Sequence, residues 1–295
     1  MEKMSKKTAL VLSGGGSHGS FEVGVLKALT EFGKTYSVIS GVSVGALNGL
    51  WLAQSPKAMQ REAVRSLETL WTEMLAGNGS VYKPWYFYPF NYVASLWKGS
   101  LNHTKPLRTI LEFNFNKEKL ASSGVVLRVG AVSLTTGLYR SASSTNPVEL
   151  NKMVDWVMAS AAMPIIFEPV RIDDEVWVDG GARNITPISD ILENHPDVDE
   201  IDVILADSLE AMPQKPIKSF TNVLNVAARC LSVAVDEVHR TDLDAVNEAG
   251  QKVKINIYAP NKALDFESFD FDGKKLKAAI ELGYQETLAK LRQAN

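Results

Sequence analysis

Only one cysteine, Cys230, occurs in the 295 residues. No intrachain disulfide can form, and a cysteine-rich zinc site is excluded. A reducing compartment fits that usage, so a cytoplasmic location is expected. An excess of either charge is also missing. The 31 Lys and Arg against 34 Asp and Glu leave a net charge of −3, which argues against a broad basic nucleic-acid surface. Beyond Lys3, Lys6 and Lys7 there is no polybasic segment, so strong electrostatic attraction to anionic lipid is not expected.

Long hydrophobic runs are absent as well. The apolar stretch Ala9 to Leu12 follows a basic N-terminus but is too short for the core of a signal peptide. The uncharged segment Thr35 to Pro56 carries Gly41, Gly45 and Gly49 four apart, the spacing of a helix-dimerising membrane span. Ser37, Ser40, Ser43, Asn48, Gln54 and Ser55 make it too polar for that role. It divides better into a buried strand, a sharp turn and a buried helix.

Short apolar runs alternate with helical spacing along the rest of the chain. Strands are predicted at Thr8 to Leu12, Tyr36 to Ser40, Val125 to Leu134, Leu138 to Ser141, Val176 to Val178, Ile201 to Ala206 and Lys254 to Ala259. Helices are predicted after Gly19, over Val44 to Ala53, Pro56 to Ala76, Thr104 to Phe113, Val148 to Ala161, Ile217 to Ala249 and Lys274 to Arg292. This alternation implies an α/β fold, a mostly parallel sheet with helices on both faces. No linker divides the chain, so one domain over 1–295 is expected. An aromatic-rich insertion at about 80–102 interrupts it, with seven aromatics among residues 82–92.

Two glycine-rich turns fall at the carboxyl ends of predicted strands, where such sheets place their sites. The first is Ser13-Gly14-Gly15-Gly16-Ser17-His18-Gly19. Glycines let the backbone approach a ligand closely, and the following helix adds its positive end. Such a turn suits a phosphate or the oxyanion of acyl transfer. Gly14, Gly16 and Gly19 match the dinucleotide fingerprint. The acidic ribose partner expected about 20 residues later is missing, since no Asp or Glu occurs between Phe32 and Arg61. The second turn, Gly41-Val42-Ser43-Val44-Gly45, has the form of a nucleophile elbow between strand and helix. A serine nucleophile needs a base. His18, His103, His195 and His239 are the available imidazoles, and His195 or His239 is the plausible member of a Ser-His-Asp triad. A third cluster, Asp179-Gly180-Gly181, follows alternating β residues and also reads as a hairpin turn.

Taken together, the three clusters resemble the patatin-like phospholipase family. Gly14-Gly15-Gly16-Ser17-His18-Gly19 is similar to its oxyanion motif, residues 41–45 to its nucleophile motif, and Asp179-Gly180-Gly181 to its aspartate motif. Ala159 to Val170 resembles the block ahead of that aspartate, and Phe271 to Ala289 its closing helix. His18 departs from the Arg or Lys often found there. The resemblance implies a three-layer α/β/α hydrolase and a Ser43–Asp179 dyad without histidine. It implies no cofactor and no metal. Oxyanion donors would come from Gly14, Gly15, Gly16 and Val44, with Gly19, Gly41, Gly45, Gly180 and Gly181 supporting the turns. The expected substrates are phospholipid or lysophospholipid esters, with peripheral membrane contact and no nucleic acid. An acyltransferase using the same acyl-serine, or a nucleotide module on the glycine turn, are the alternatives. Trp85, Phe87 and Tyr88 in the aromatic stretch are read as an acyl-chain groove, or as packing between the third helix and the sheet. Cys230 is read as a packed residue of an apolar helix.

Overall fold

The structure, a computed structural model, describes residues 6–85, 99–209, 223–249 and 253–293. An eight-stranded sheet organises it. Its strands are β1 (Thr8–Leu12), β2 (Val38–Val42), β5 (Val126–Ser133), β6 (Tyr139–Ser143), β8 (Val170–Ile172), β9 (Glu175–Asp179), β10 (Glu200–Ile204) and β11 (Lys254–Tyr258). The order is β11-β10-β1-β2-β5-β9-β8, with β6 also paired to β5. From β11 through β5 every pair is parallel. A separate three-stranded sheet joins β3 (Lys83–Pro84), β4 (Ser100–His103) and β7 (Ile165–Phe167).

Burial on two faces explains the sequence of β1. All five of its residues are buried. Leu10 and Leu12 enter one apolar cluster and Ala9 and Val11 the other, as the period of two requires. The larger cluster is covered by α1 (Gly19–Glu31), α2 (Val44–Ala53) and α3 (Gln60–Thr69), with the closing helix Gly273–Gln293 laid along α1. Helix Ile188–Asn194 covers the opposite face through Ile188 and Ile191. This is the three-layer α/β/α arrangement expected from the alternation.

The third helix is not continuous. A 3-10 turn at Lys57–Met59 leads into α3, and a π turn follows at Leu70–Met74. The widened turn sits where the buried Trp71 indole donates to Asn48 Oδ1 of α2, at 2.8 Å. Helical spacing alone carries no sign of that bond. Asp179-Gly180 is not a hairpin either. β9 ends there in a 3-10 turn, and its hairpin is the upstream pairing with β8. Cys230 is exposed on the helix Val223–Ala249, which corrects its expected packing. Among the described residues, no helix is long and apolar enough to cross a membrane.

The register of β5 positions the site. Val42 of β2 pairs with Gly130, and Asp179 of β9 pairs with Ala131. Ala131 also pairs with Arg140, and Val129 pairs with both Gly41 and Ala142. A strand has two edges, so β6 takes one and β2 and β9 share the other. Running in opposite directions, β2 and β9 end facing each other over adjacent residues of β5.

Under this edge lies a buried ion pair. Arg128 Nε donates to both Asp190 oxygens, at 2.9 and 2.8 Å, and Ser40 and Ser141 hydroxyls donate to Oδ2. Removing one partner leaves a desolvated charge, which typically costs about 3–5 kcal/mol. Asp190→Ala is therefore expected to lower unfolding stability by about that amount in urea denaturation, whereas substitution of the exposed Asp197 should leave it almost unchanged.

Candidate active site

Ser43 stands at the carboxyl end of β2 with φ 55° and ψ −123°. A side chain at positive φ is strained, by about 1–3 kcal/mol, and persists only where its surroundings fix it. Two glycines make the turn possible. A Cβ on Gly41 would lie 2.3 Å from Gly45 O, and one on Gly45 would lie 2.4 Å from Leu12 O. The Ser43 N–H donates to Ser160 Oγ (2.8 Å), which in turn donates to Gly130 O (2.6 Å). The Ser43 carbonyl accepts from Ala46 and Leu47 of α2. The side chain is partly exposed, so the hydroxyl is reachable.

Asp179 ends β9, buried to 4% exposure. Its N–H donates to Ala162 O at 3.0 Å, and its Oδ1 accepts from Gly181 N–H at 2.8 Å. The Ser43 hydroxyl lies close enough to favour the charged carboxylate. Burial pushes the Asp179 pKa up to about 7, against the opposing pull of the Gly181 amide and the Ser43 hydroxyl. A carboxylate titrating near neutrality is a competent general base, which an ordinary one at about 3.9 is not.

The first glycine turn closes over Ser43. A Cβ on Gly14 would lie 3.3 Å from the Ser43 Cβ, and one on Gly19 would lie 2.3 Å from Val44 Cγ2. The N-termini of α1 and α2 therefore converge there, and both favour negative charge. Among the described residues, the Gly15, Gly16 and Val44 N–H groups meet no hydrogen-bond acceptor, whereas Gly14 N–H donates to Ile185 O at 3.0 Å. Gly14 thus leaves the expected donor set, and the other three remain in it. Gly180 and Gly181 form the turn after Asp179.

The histidines divide clearly. His195 ends the helix Ile188–Asn194, beside Lys7 and Asp197, which precede β1 and β10. Those positions lie at the amino ends of the strands, opposite Ser43. His103 packs its ring 5.2 Å from Trp85 in the small sheet. His239 belongs to the helix Val223–Ala249. His18 is buried at the turn itself, with Nδ1 2.6 Å from Asp207 Oδ1 and Nε2 2.8 Å from Phe266 O. A carbonyl accepts only, so Nε2 carries hydrogen. The Asp207 carboxylate opposes the effect of burial and raises the imidazole pKa. His18 ties the turn to residues 266–268, assisted by Ser17 bonds to the Glu267 and Ser268 carbonyls. No imidazole among the described residues meets the Ser43 hydroxyl. Of the aromatic stretch, Trp85 donates to Ser100 Oγ at 3.0 Å. Phe87 and Tyr88 lie outside the described residues.

Sequence reasoning missed Ser160 and Ile185. Ser160 sits in the block Ala159–Val170, but no spacing rule marks a serine as the acceptor of another serine's amide. The Ile185 signal is weaker still, because its main chain makes the contact.

Against known proteins, the sequence model of the family described as "Patatin-like phospholipase" matches residues 10–192. The chain is 27% identical over 197 residues to the patatin-like phospholipase domain-containing protein ZK370.4 of Caenorhabditis elegans, covering 63% of this chain and 12% of that protein. It is 28% identical over 210 residues to the triacylglycerol lipase ptl3 of Schizosaccharomyces pombe, covering 63% and 42%. The chain thus spans well under half the length of these two relatives. Among solved structures it is similar to VipD of Legionella pneumophila, with a TM-score of 0.45 and 15% identity over 98% of this chain and 67% of that one.

The raised Asp179 pKa has a cost in stability. Between the unfolded value near 3.8 and the folded value about 7, the folded chain binds the extra proton. That contribution is complete below the unfolded value and is lost as pH rises through the folded one. Asp179→Asn, which cannot ionise, is expected to be more heat-stable than the wild type at pH 8. The difference should shrink at pH 5 when both are followed by thermal unfolding.

Proposed function

The chain belongs to the patatin-like phospholipase family, and on that premise we propose that it hydrolyses fatty-acyl esters of phospholipid or lysophospholipid with a Ser43–Asp179 dyad. The Ser43 hydroxyl attacks the ester carbonyl while Asp179 takes its proton. The tetrahedral oxyanion is held by the Gly15, Gly16 and Val44 amides. As the carbonyl re-forms, the leaving alkoxide takes the proton from Asp179, leaving acyl-Ser43. Water then attacks that ester, gives a proton to Asp179, and releases the fatty acid as Ser43 recovers its proton.

The observation that carries this reading is the placement of a strained, accessible serine hydroxyl beside a buried carboxylate with pKa about 7. Fixed amides supply the second requirement, since losing one such donor typically costs about 10²–10³ in rate. The names of the two relatives, a phospholipase domain protein and a triacylglycerol lipase, support a lipid ester as the substrate class.

The test is a matched set of variants assayed on lysophospholipid and on a short soluble ester. Ser43→Ala and Asp179→Asn are expected to abolish hydrolysis with unfolding still cooperative, while His195→Ala and His239→Ala retain it. Loss in either histidine variant would favour a triad. Product analysis with an added alcohol detects acyl transfer. The rate constant should rise with pH through about 7, because the base works only when deprotonated. A profile flat from pH 5 to 8 would exclude Asp179 as the base.

A further inference from the structure

Behind the glycine turn lies a carboxylate that the acyl-transfer steps do not use. Asp242 projects from the helix Val223–Ala249, which packs on the turn Gly180–Ala182. Its Oδ2 accepts from both Ile185 N–H (2.6 Å) and Thr186 N–H (2.8 Å). No cation pairs with it among the described residues. The charge is therefore spent on two main-chain amides, and hydrogen bonds to an ionised acceptor are stronger than neutral ones.

One peptide unit connects this carboxylate to the site. The Thr186 N–H and the Ile185 C=O belong to the same planar group, and in a trans peptide they point in opposite directions. Asp242 holds the N–H. Gly14 donates its N–H to the C=O at 3.0 Å. The Ile185 side chain fills the space beside both motif glycines. Its Cγ1 lies 3.0 Å from where a Cβ on Gly14 would be and 3.4 Å from the same point on Gly181. Gly14 immediately precedes Gly15 and Gly16, whose amides are free to point at an oxyanion.

We propose that Asp242 is a positioning residue for the acyl-transfer site: through the Ile185–Thr186 peptide it aims the carbonyl that fixes Gly14, and so sets the direction of the Gly15 and Gly16 amides. The proposal rests on Ser43 being the nucleophile. A loop anchored only for stability would make Asp242 matter to unfolding. A positioning role makes it matter to the rate constant, because a displacement of about 1 Å in such a site can cost about 10²-fold. Asn keeps an oxygen that accepts both amides, and Ala keeps none.

The experiment compares wild type, Asp242→Asn and Asp242→Ala on a short soluble ester, with labelling of Ser43 by a fluorophosphonate in parallel. For Asp242→Ala, kcat is expected to fall about 10- to 100-fold, with KM within about twofold and labelling slowed in proportion. Asp242→Asn should recover most of the loss. A folded Asp242→Ala protein with wild-type kcat, or an Asn variant as impaired as Ala, overturns the proposal. A wild type that fluorophosphonate does not label at Ser43 overturns the nucleophile reading itself, and this proposal with it. That result is distinct from a labelled wild type beside an indifferent variant.

Should Asp242→Ala not fold, the backbone amide spectrum decides. Burial raises the Asp242 pKa to about 6. The titratable group its charge acts on is Tyr139, held neutral by burial, and His239 stands one turn earlier on the same helix. In the Asp179→Asn protein, the Ile185, Thr186 and Gly14 amide resonances are expected to titrate together near pH 6. A Gly14 resonance that stays still while the other two move overturns the proposal.

Discussion

The account depends on one edge of one strand. β2 and β9 run in opposite directions along the same edge of β5 and stop opposite Gly130 and Ala131. Ser43 and Asp179, 136 positions apart in the chain, are the residues at those two ends. Their proximity is thus a product of strand register, fixed by the backbone ladder before any side chain is chosen. A one-residue slip in either pairing would turn the site residue to the opposite face of the sheet. The register is in turn secured by apolar burial on both faces, which parallel sheets of this type require.

Around that meeting point the molecule accepts local instability. Ser43 holds a positive φ, and Asp179 is a carboxylate removed from water. Each would relax if isolated. Ser160 holds the Ser43 amide, Ala162 holds the Asp179 amide, and the His18 ring ties residues 266–268 over the first turn. Glu22 is only half satisfied. It is fully buried beneath that turn, with its pKa well raised by burial; Oε2 accepts from Asn48 Nδ2, whose own oxygen receives the Trp71 indole, while Oε1 meets no partner among the described residues. Polar groups bonded in this way cost little when buried, whereas unpaired ones cost a great deal. The helix Val223–Ala249 closes the back of the site through Asp242.

Much of this was legible in the sequence, and the reason is steric. Where two backbones must approach within a Cβ radius, only glycine fits, so Gly16, Gly41, Gly45 and Gly180 mark the turns in plain text. The two-faced burial of β1 was equally visible as an unbroken apolar run. Features that act through a main-chain contact left no such mark. Ile185 contributes a carbonyl, Ser160 an oxygen that any small polar residue could imitate, and Asp242 lies in a charged helix where a carboxylate attracts no notice. The π turn in the third helix failed to show for a related cause. It coincides with a bond from Trp71 to another helix, and helical spacing records only which side is apolar. His18 was legible as a departure from a Lys or Arg, but its two partners, the Asp207 carboxylate and the Phe266 carbonyl, were not, because both come from distant segments of the chain.

The central claim is that the Asp179 carboxyl itself takes the serine proton, and the titration of that carboxyl by 13C NMR tests it most directly. The account predicts a midpoint about 7 in the wild type. In Ser43→Ala the midpoint should move upward, because the nearby hydroxyl that favours the charged form is gone. A midpoint near 4 that ignores Ser43, accompanied by an imidazole whose titration does respond to it, would contradict the account.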